Sequence, residues 1–256
     1  MFTAIDHVPI VVNELESAIS SYSRAGFTVV RGGKHPIGSH NALIAFADGS
    51  YLELIAFTKP NTGHRWQQAL AKGSGIVDFC MSTDDLAADI ESMRRAGANI
   101  GDPFSLTRDR PDGYHLSWLL AEPKPPFNGQ LPFLIKDDTP RDERVPRERS
   151  HRNGATGIRT LAIAVKDPGM TSLYYACVLG RPGAPIERPD LEAAGVTFTI
   201  SPNEVQLLAS KTDNGPLAQW IHDHGQSPFE LVLTTTGIGA TNPDPPLLQG
   251  ARIKIA

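Results

Sequence analysis

The sequence matches itself at two spacings, and this limits its possible folds more than any other feature. "AIDHVPIVVNELESAISSYSRAGFTVV" lies over "GIVDFCMSTDDLAADIESMRRAGANIG" at an offset of 71, with His7 over Asp78, Leu15 over Leu86 and Gly26 over Gly97. A longer spacing of 152–154 sets His7 on Thr160, Glu53 on Gln206, Trp66 on Trp220 and Asp78 on Glu230. Matches at such periods mark repeated supersecondary units.

In the first unit, "IDHVPIVV" reads as a strand. Asn13, with Glu16 three residues on, is the expected N-cap and capping box. Leu15, Ala18, Ile19 and Tyr22 share one helical face, and Gly26 ends the helix. "AGFTVV" resumes extended structure, and "NALIAFADGSYLELIAF" reads as two strands across an Asp48-Gly49 turn. This is a βαβββ unit. The second unit ends with "RPDGYHLSWLLAEP", whose Asp112-Gly113 answers Asp48-Gly49. The third opens with "GIRTLAIAVKDPGMTSLYYACVLG", with Asp167 as N-cap and Pro168 at the first helical position. After Thr236 the stretch "GIGATNPDPP" replaces the fourth unit's helix, and "ARIKIA" supplies a closing strand. The expected fold is α+β: tandem βαβββ units in two halves, the last unit degenerate. Residues 1–135 would form two units around a cleft, 136–156 a charged linker that is either simply exposed or a lid or anion-binding arm, and 157–256 the degenerate second half.

Hydrophobic residues make up 40% and charged residues 20% of the 256, with net charge −4, which excludes a general nucleic-acid footprint. No apolar run is long enough to span a membrane. "MFTAIDHVPIVV" enters a strand pattern at once, without the basic region and cleavage site of a signal peptide. Cys80 and Cys177 lie far apart in apolar segments and read as buried free thiols, as expected in a reducing cytoplasm. Glycine-rich nucleotide loops, Cys-x-x-Cys and Gly-x-Ser-x-Gly are all missing from the sequence.

Within "YLELIAF" a carboxylate, Glu53, sits among strand-forming residues. Burying it costs several kcal/mol unless something pairs with it. That partner is either a lysine or arginine across the sheet, or something functional. Tyr51 shares its face. The loop "GGKHPIGSHN" brings His35, His40 and Asn41, which either cover the cleft mouth with polar contacts or form a surface turn. Arg108 and Arg110 carry guanidinium forks suited to an acidic substrate, or serve solubility only.

A doubled βαβββ unit with His on its first strand and Glu on its last resembles the vicinal-oxygen-chelate superfamily, and more closely its glyoxalase-like domain family. The likeness lies in "IDHVPIVVNELESA", "GFTVVRGGKHPIGSHNALIAFADGSYLELIAF", "RPDGYHLSW", "LPFLIKD" and "HRNGATGI". That superfamily draws one metal ligand from the first strand and one from the last strand of each unit. The resemblance thus implies His7 and Glu53 as ligands and Asp78 as a third. Ser117, or His115 two residues earlier on the same strand face, would take the fourth place, which is also open to water or substrate. In the second half Thr160, Gln206 and Glu230 hold the matching places, and no metal is expected there. The resemblance further implies one divalent ion (Zn, Ni, Mn or Fe) and lyase, isomerase or dioxygenase chemistry on a small oxygenated substrate. Glu53 would then be ligand or proton-transfer base. The imperfect ligand set supports a rival, a metal-free protein that binds or sequesters a small molecule on this fold, and fold membership does not choose between the two. Neither reading calls for a nucleic-acid or membrane partner, and a homodimer with exchanged units stays open.

Overall fold

A computed structural model describes residues 2–237 and 240–256. Residues 238 and 239, part of the stretch expected to replace the fourth helix, and residue 1 lie outside the described residues. Unit one runs β1 (Phe2–Val11), α1 (Leu15–Arg24), β2 (Val30–His35), β3 (Ser39–Ala45) and β4 (Tyr51–Phe57). Helix α2 (Arg65–Leu70) and the short β5 (Gly75–Ile76) lead into unit two: β6 (Cys80–Thr83), α3 (Leu86–Arg95), β7 (Phe104–Asp109), β8 (His115–Ala121) and β9 (Phe133–Asp137). A single helical turn, α4 (Arg141–Arg144), precedes unit three, which is β10 (Ala155–Ala164), α5 (Pro168–Leu179), β11 (Ala184–Arg188), β12 (Ala193–Ile200) and β13 (Asn203–Ser210). After α6 (Pro216–His224), unit four keeps β14 (Ser227–Thr235) and β15 (Ile253–Ile255). The architecture is α+β with repeated βαβββ units, as expected.

Local chemistry explains the helix starts. Asp85 caps α3 and Asp167 caps α5, each accepting from a backbone N–H one turn on. At α1 the cap is Glu14 rather than Asn13. Its carboxylate accepts from Glu16 N at 3.1 Å and Ser17 N at 2.6 Å, so one longer side chain satisfies two orphan donors. Leu15, Ala18 and Tyr22 are buried along one face.

The first nine strands form one sheet, ordered β4-β3-β2-β7-β8-β9-β6-β1-β5, in which β4 also pairs with β1. The sheet therefore closes into a barrel, with β5 as an appendage. β10–β15 form an open six-stranded sheet, ordered β11-β12-β13-β10-β14-β15. The longer repeat holds in register. β1 and β4 pair Pro9 with Glu53, and β10 and β13 pair Ala162 with Gln206.

Unit two departs from the expected alignment. Its last strand is β9, where Cys80 pairs with Phe133. Cys80 stands 71 positions beyond Pro9, so the residue answering Glu53 is Phe133 and not Ser117. The Asp112-Gly113 turn joins β7 to β8 and therefore answers the turn between β2 and β3. An Asp-Gly pair marks a hairpin without saying which one.

One apolar cluster runs through both sheets, joining Val8, Ile10 and Leu54 to Leu161, Val205 and Leu231. Polar ties cross the same boundary. Asn203 Oδ1 accepts from Ile5 N at 2.8 Å, and the Tyr175 hydroxyl donates to Gln130 O at 2.7 Å. The segment expected as an exposed linker instead packs against the barrel, with Arg144 1% and Val145 2% exposed. Cys80 is buried as expected, whereas Cys177 is exposed on α5. Among the described residues no helix is long and apolar enough to cross a membrane.

Candidate active site

The barrel interior encloses a narrow cavity whose polar lining is His7, His35, Tyr51, Glu53, Arg108 and Arg144; Trp66, Trp118 and Phe133 are prominent in its apolar wall. Its open volume is about 40 Å³, room for a few waters. An organic ligand must therefore displace lining side chains to enter.

His7 is held from three sides. Its Nδ1 lies 2.7 Å from Asp6 Oδ1, its ring stacks on Tyr51 at 4.5 Å, and Phe133 meets it edge-on at 5.3 Å. Its other nitrogen, Nε2, is 3.5 Å from Glu53 Oε2. Asn41 Nδ2 donates to Glu53 Oε1 at 2.6 Å. The Asn41 amide fits because Gly32 lacks a side chain: a Cβ there would stand 2.1 Å from Asn41 Oδ1. No lysine or arginine pairs with Glu53 among the described residues, so the cross-sheet cation is not its partner.

Asp6 fixes the histidine's tautomer. Burial alone would raise the Asp6 pKa, but Arg144, His7 and Arg141 outweigh it and hold the carboxyl well below its usual range. A permanent carboxylate accepts the N–H of Nδ1 and so leaves Nε2, facing Glu53, as the ring's unprotonated nitrogen.

Arg144, from α4, plugs this end of the barrel. Its Nη1 and Nη2 each lie 3.0 Å from an Asp6 oxygen. It also donates to Asp137 Oδ1 at 2.5 Å and to the Tyr51 hydroxyl at 2.6 Å. Burial pushes the Tyr51 phenol well above its ordinary pKa, so it stays protonated. The Arg144 carbonyl accepts from Arg108 Nη2 at 2.8 Å. Arg108, on β7, is 3% exposed, and its Nε has no hydrogen-bond partner among the described residues. Burial also draws the Arg108 pKa below its usual value. His35 bonds Ser39 Oγ through Nδ1 at 2.9 Å, and burial lowers its pKa to about 4, so the ring is neutral at pH 7.

Of the residues singled out in the sequence, the fold brings His7, His35, Tyr51, Glu53, Asn41 and Arg108 together. It places the others elsewhere. Asp78 accepts from Arg65 at 2.8 Å, from Trp66 Nε1 at 3.0 Å and from Phe79 N at 3.0 Å, and it does not line the barrel cavity. Strand β8 turns Leu116, Trp118 and Leu120 into the barrel. His115 and Ser117, on the alternate face, are thereby directed away, and His115 pairs with Asp109 at 2.7 Å. His40 precedes Asn41 and lines a different, outer cavity. Arg110 pairs with Asp112 and Glu143 at an outer groove. In the second half Arg188 bridges Gln206 and Glu230, at 3.0 and 2.9 Å, which fills the matching place.

Two site residues escaped the sequence reading. Asp6 follows Ile5 at a register shift in β1, so strict alternation misjudges its surroundings. Arg144 lay in a segment read as a linker. Only the charge of Arg144 hinted at its role.

These residues do not suit a divalent ion as the family pattern places it. Of the four positions, His7 and Glu53 offer donors to the cavity, Asp78 is taken by Arg65 and Trp66, and Phe133 offers none. Asp6, His7 and Cys80 bring ligand atoms within 4.8 Å of one another. That group fails on its chemistry. Both Asp6 oxygens already accept from Arg144, with Arg141 and Ser82 on Oδ2, so the carboxylate is already occupied by cations and a hydroxyl.

Comparison with known proteins agrees with the architecture. Among curated proteins none matches the sequence significantly. Among solved structures, a hypothetical protein from Staphylococcus aureus superposes with TM-score 0.70 at 14% identity, covering 98% of each chain. A mutant of 4-hydroxymandelate synthase from Streptomyces coelicolor gives TM-score 0.60 at 14% identity, covering 93% of this chain and 72% of that one. At such identities the likeness is one of fold. The family model described as "Glyoxalase-like domain" matches residues 5–179, spanning all of the barrel but the start of its first strand. With repeat, register and family match in agreement, the chain belongs to the glyoxalase-like domain family and carries the vicinal-oxygen-chelate fold.

Proposed function

We propose that the barrel cavity binds a small organic molecule and moves a proton on it, using Asp6, His7 and Glu53 without a resident divalent ion. The supporting observation is the line Asp6–His7–Glu53, with 2.7 Å at one joint and 3.5 Å at the other. Asp6 orients the ring and stabilises the imidazolium that forms when Nε2 takes a proton. Glu53, steadied by Asn41, can accept or return the same proton, so base and acid stand side by side. The reaction class that follows is isomerisation or elimination next to a carbonyl, where proton removal from carbon is the difficult step. The protonated Tyr51 holds the opposite ring face and excludes water.

Two measurements on untagged protein test this. Elemental analysis of wild type and Glu53→Gln should find no stoichiometric metal, even after incubation with Zn, Ni, Mn and Fe(II). Deuterium uptake from D2O into small carbonyl compounds, followed by NMR, should be catalysed by wild type. It should fall about 100-fold or more in His7→Gln and Glu53→Gln. One ion per chain, lost in Glu53→Gln, would restore the metal mechanism. Ligand-induced stabilisation without any exchange would make the protein a binder instead.

A further inference from the structure

We propose that the molecule taken up by the barrel cavity is a small carboxylate with an apolar or aromatic body, and that Arg108 binds its charge. This rests on the cavity being a ligand site, and not on the proton-transfer chemistry assigned to it.

Two arginines are buried at this end of the barrel, 1% and 3% exposed. They differ in company. Arg144 is matched by two carboxylates, Asp6 and Asp137. Arg108 forms no ion pair with a carboxylate among the described residues, donates one hydrogen bond of 2.8 Å to a neutral carbonyl, and leaves its Nε bare. Glu53 attracts Arg108 across the cavity but forms no ion pair with it, its two oxygens facing Asn41 and His7 instead. A desolvated cation without a counter-ion is costly, and a fixed one facing a cavity is a site for an anion. The guanidinium fork suits a planar carboxylate in particular. Around it the wall is apolar and aromatic, with Trp66, Trp118, Phe133 and Leu106, which fits a hydrocarbon body and gives a fully hydrated inorganic anion nothing in return. Arg108 and Arg144 also line an outer groove of about 460 Å³, so the two guanidinium groups stand between that groove and the barrel cavity.

The test compares phenylacetate, 3-phenylpropanoate and isovalerate with their uncharged amides, by calorimetry on the full chain. Carboxylates should bind wild type at least about tenfold more tightly than the matching amides. Arg108→Gln should remove that preference, and Arg108→Lys should keep part of it. Glu53→Gln should bind the carboxylates as well as wild type or better while losing deuterium exchange, which separates this proposal from the catalytic one. Arg108→Met is the control for a structural role: it should melt at or above the wild-type temperature and no longer distinguish acid from amide. The proposal is overturned if acids and amides bind alike, if no carboxylate binds at millimolar concentration, or if folded Arg108→Gln keeps the wild-type preference.

Discussion

Glu53 is held by an amide and an imidazole, while Asp6, buried in the same barrel, is held by two guanidinium groups and a histidine. The difference decides their chemistry. Asp6 is locked as an anion, whereas Glu53 has no guanidinium partner among the described residues. His35 shows the same logic with the opposite charge. Burial, opposed by Glu53 and aided by Arg108, His40 and His7, lowers its pKa from 6.5 to about 4. A pKa depressed on folding gives stability that is complete above the unfolded value and is lost as pH falls toward the folded one. Between pH 6.5 and about 4, His35 should therefore withdraw about 3 kcal/mol. His64, also lowered to about 4, acts in the same window, so the comparison must be internal. Urea unfolding at both ends of the window should show His35→Gln losing less stability than wild type. Equal losses would mean that His35 is not held neutral. From sequence, Glu53 announced itself as a charge among apolar neighbours, and His7 was found by the repeat. Arg144 and Asp6 were not legible, because a charge looks the same in a solvated loop as in a buried network until its partners are known.

At the scale of elements, the barrel closes where β2 meets β7, and there the pairing is slight: Lys34 opposite Asp109. Gly33 makes the approach possible. Its φ is +147°, and a Cβ on it would stand 2.0 Å from the Asp109 carbonyl oxygen. Gly33→Ala must both strain the backbone and push the strands apart, which should cost about 3 kcal/mol or more. Gly49, in the turn between β3 and β4, has φ +88° but nothing within 4 Å of its added Cβ. Gly49→Ala should then cost only about 1 kcal/mol of backbone strain. Denaturant midpoints of the two variants measure the difference, and equal losses would show that the seam tolerates separation. The longer repeat spacing, which sets Glu53 on Gln206, is matched by equal registers of β1 with β4 and of β10 with β13. It failed at the end of unit two, where the long connection between β8 and β9 stretches the spacing and moves the true last strand beyond the fixed offset. Had β9 been recognised, the apolar Phe133 opposite Cys80 would already have weakened the four-ligand expectation.

For the whole molecule, the question is whether the barrel and the open sheet are two cooperative bodies or one. The sequence suggested halves joined by a solvated linker, which would let each melt alone. The structure argues otherwise: a single apolar cluster spans both sheets, and the bond from Ile5 N to Asn203 sits at a register shift in β1, beside the candidate site itself. Separating the sheets would expose Phe2, Ile5, Tyr175 and Phe198 together, at about 1.5–3 kcal/mol for each large side chain. The expected outcome is one unfolding transition. The three tryptophans make it measurable, because Trp66 and Trp118 report on the barrel and Trp220 on the second sheet. In Trp220→Phe, barrel fluorescence and far-UV circular dichroism should share one urea midpoint. In the Trp66→Phe, Trp118→Phe double variant, Trp220 fluorescence should again follow the dichroism, whatever the new midpoint. If the Trp220 signal instead falls at lower urea than the dichroism, the second half unfolds first, and its ties to β1 are too weak to hold the site's first strand in place.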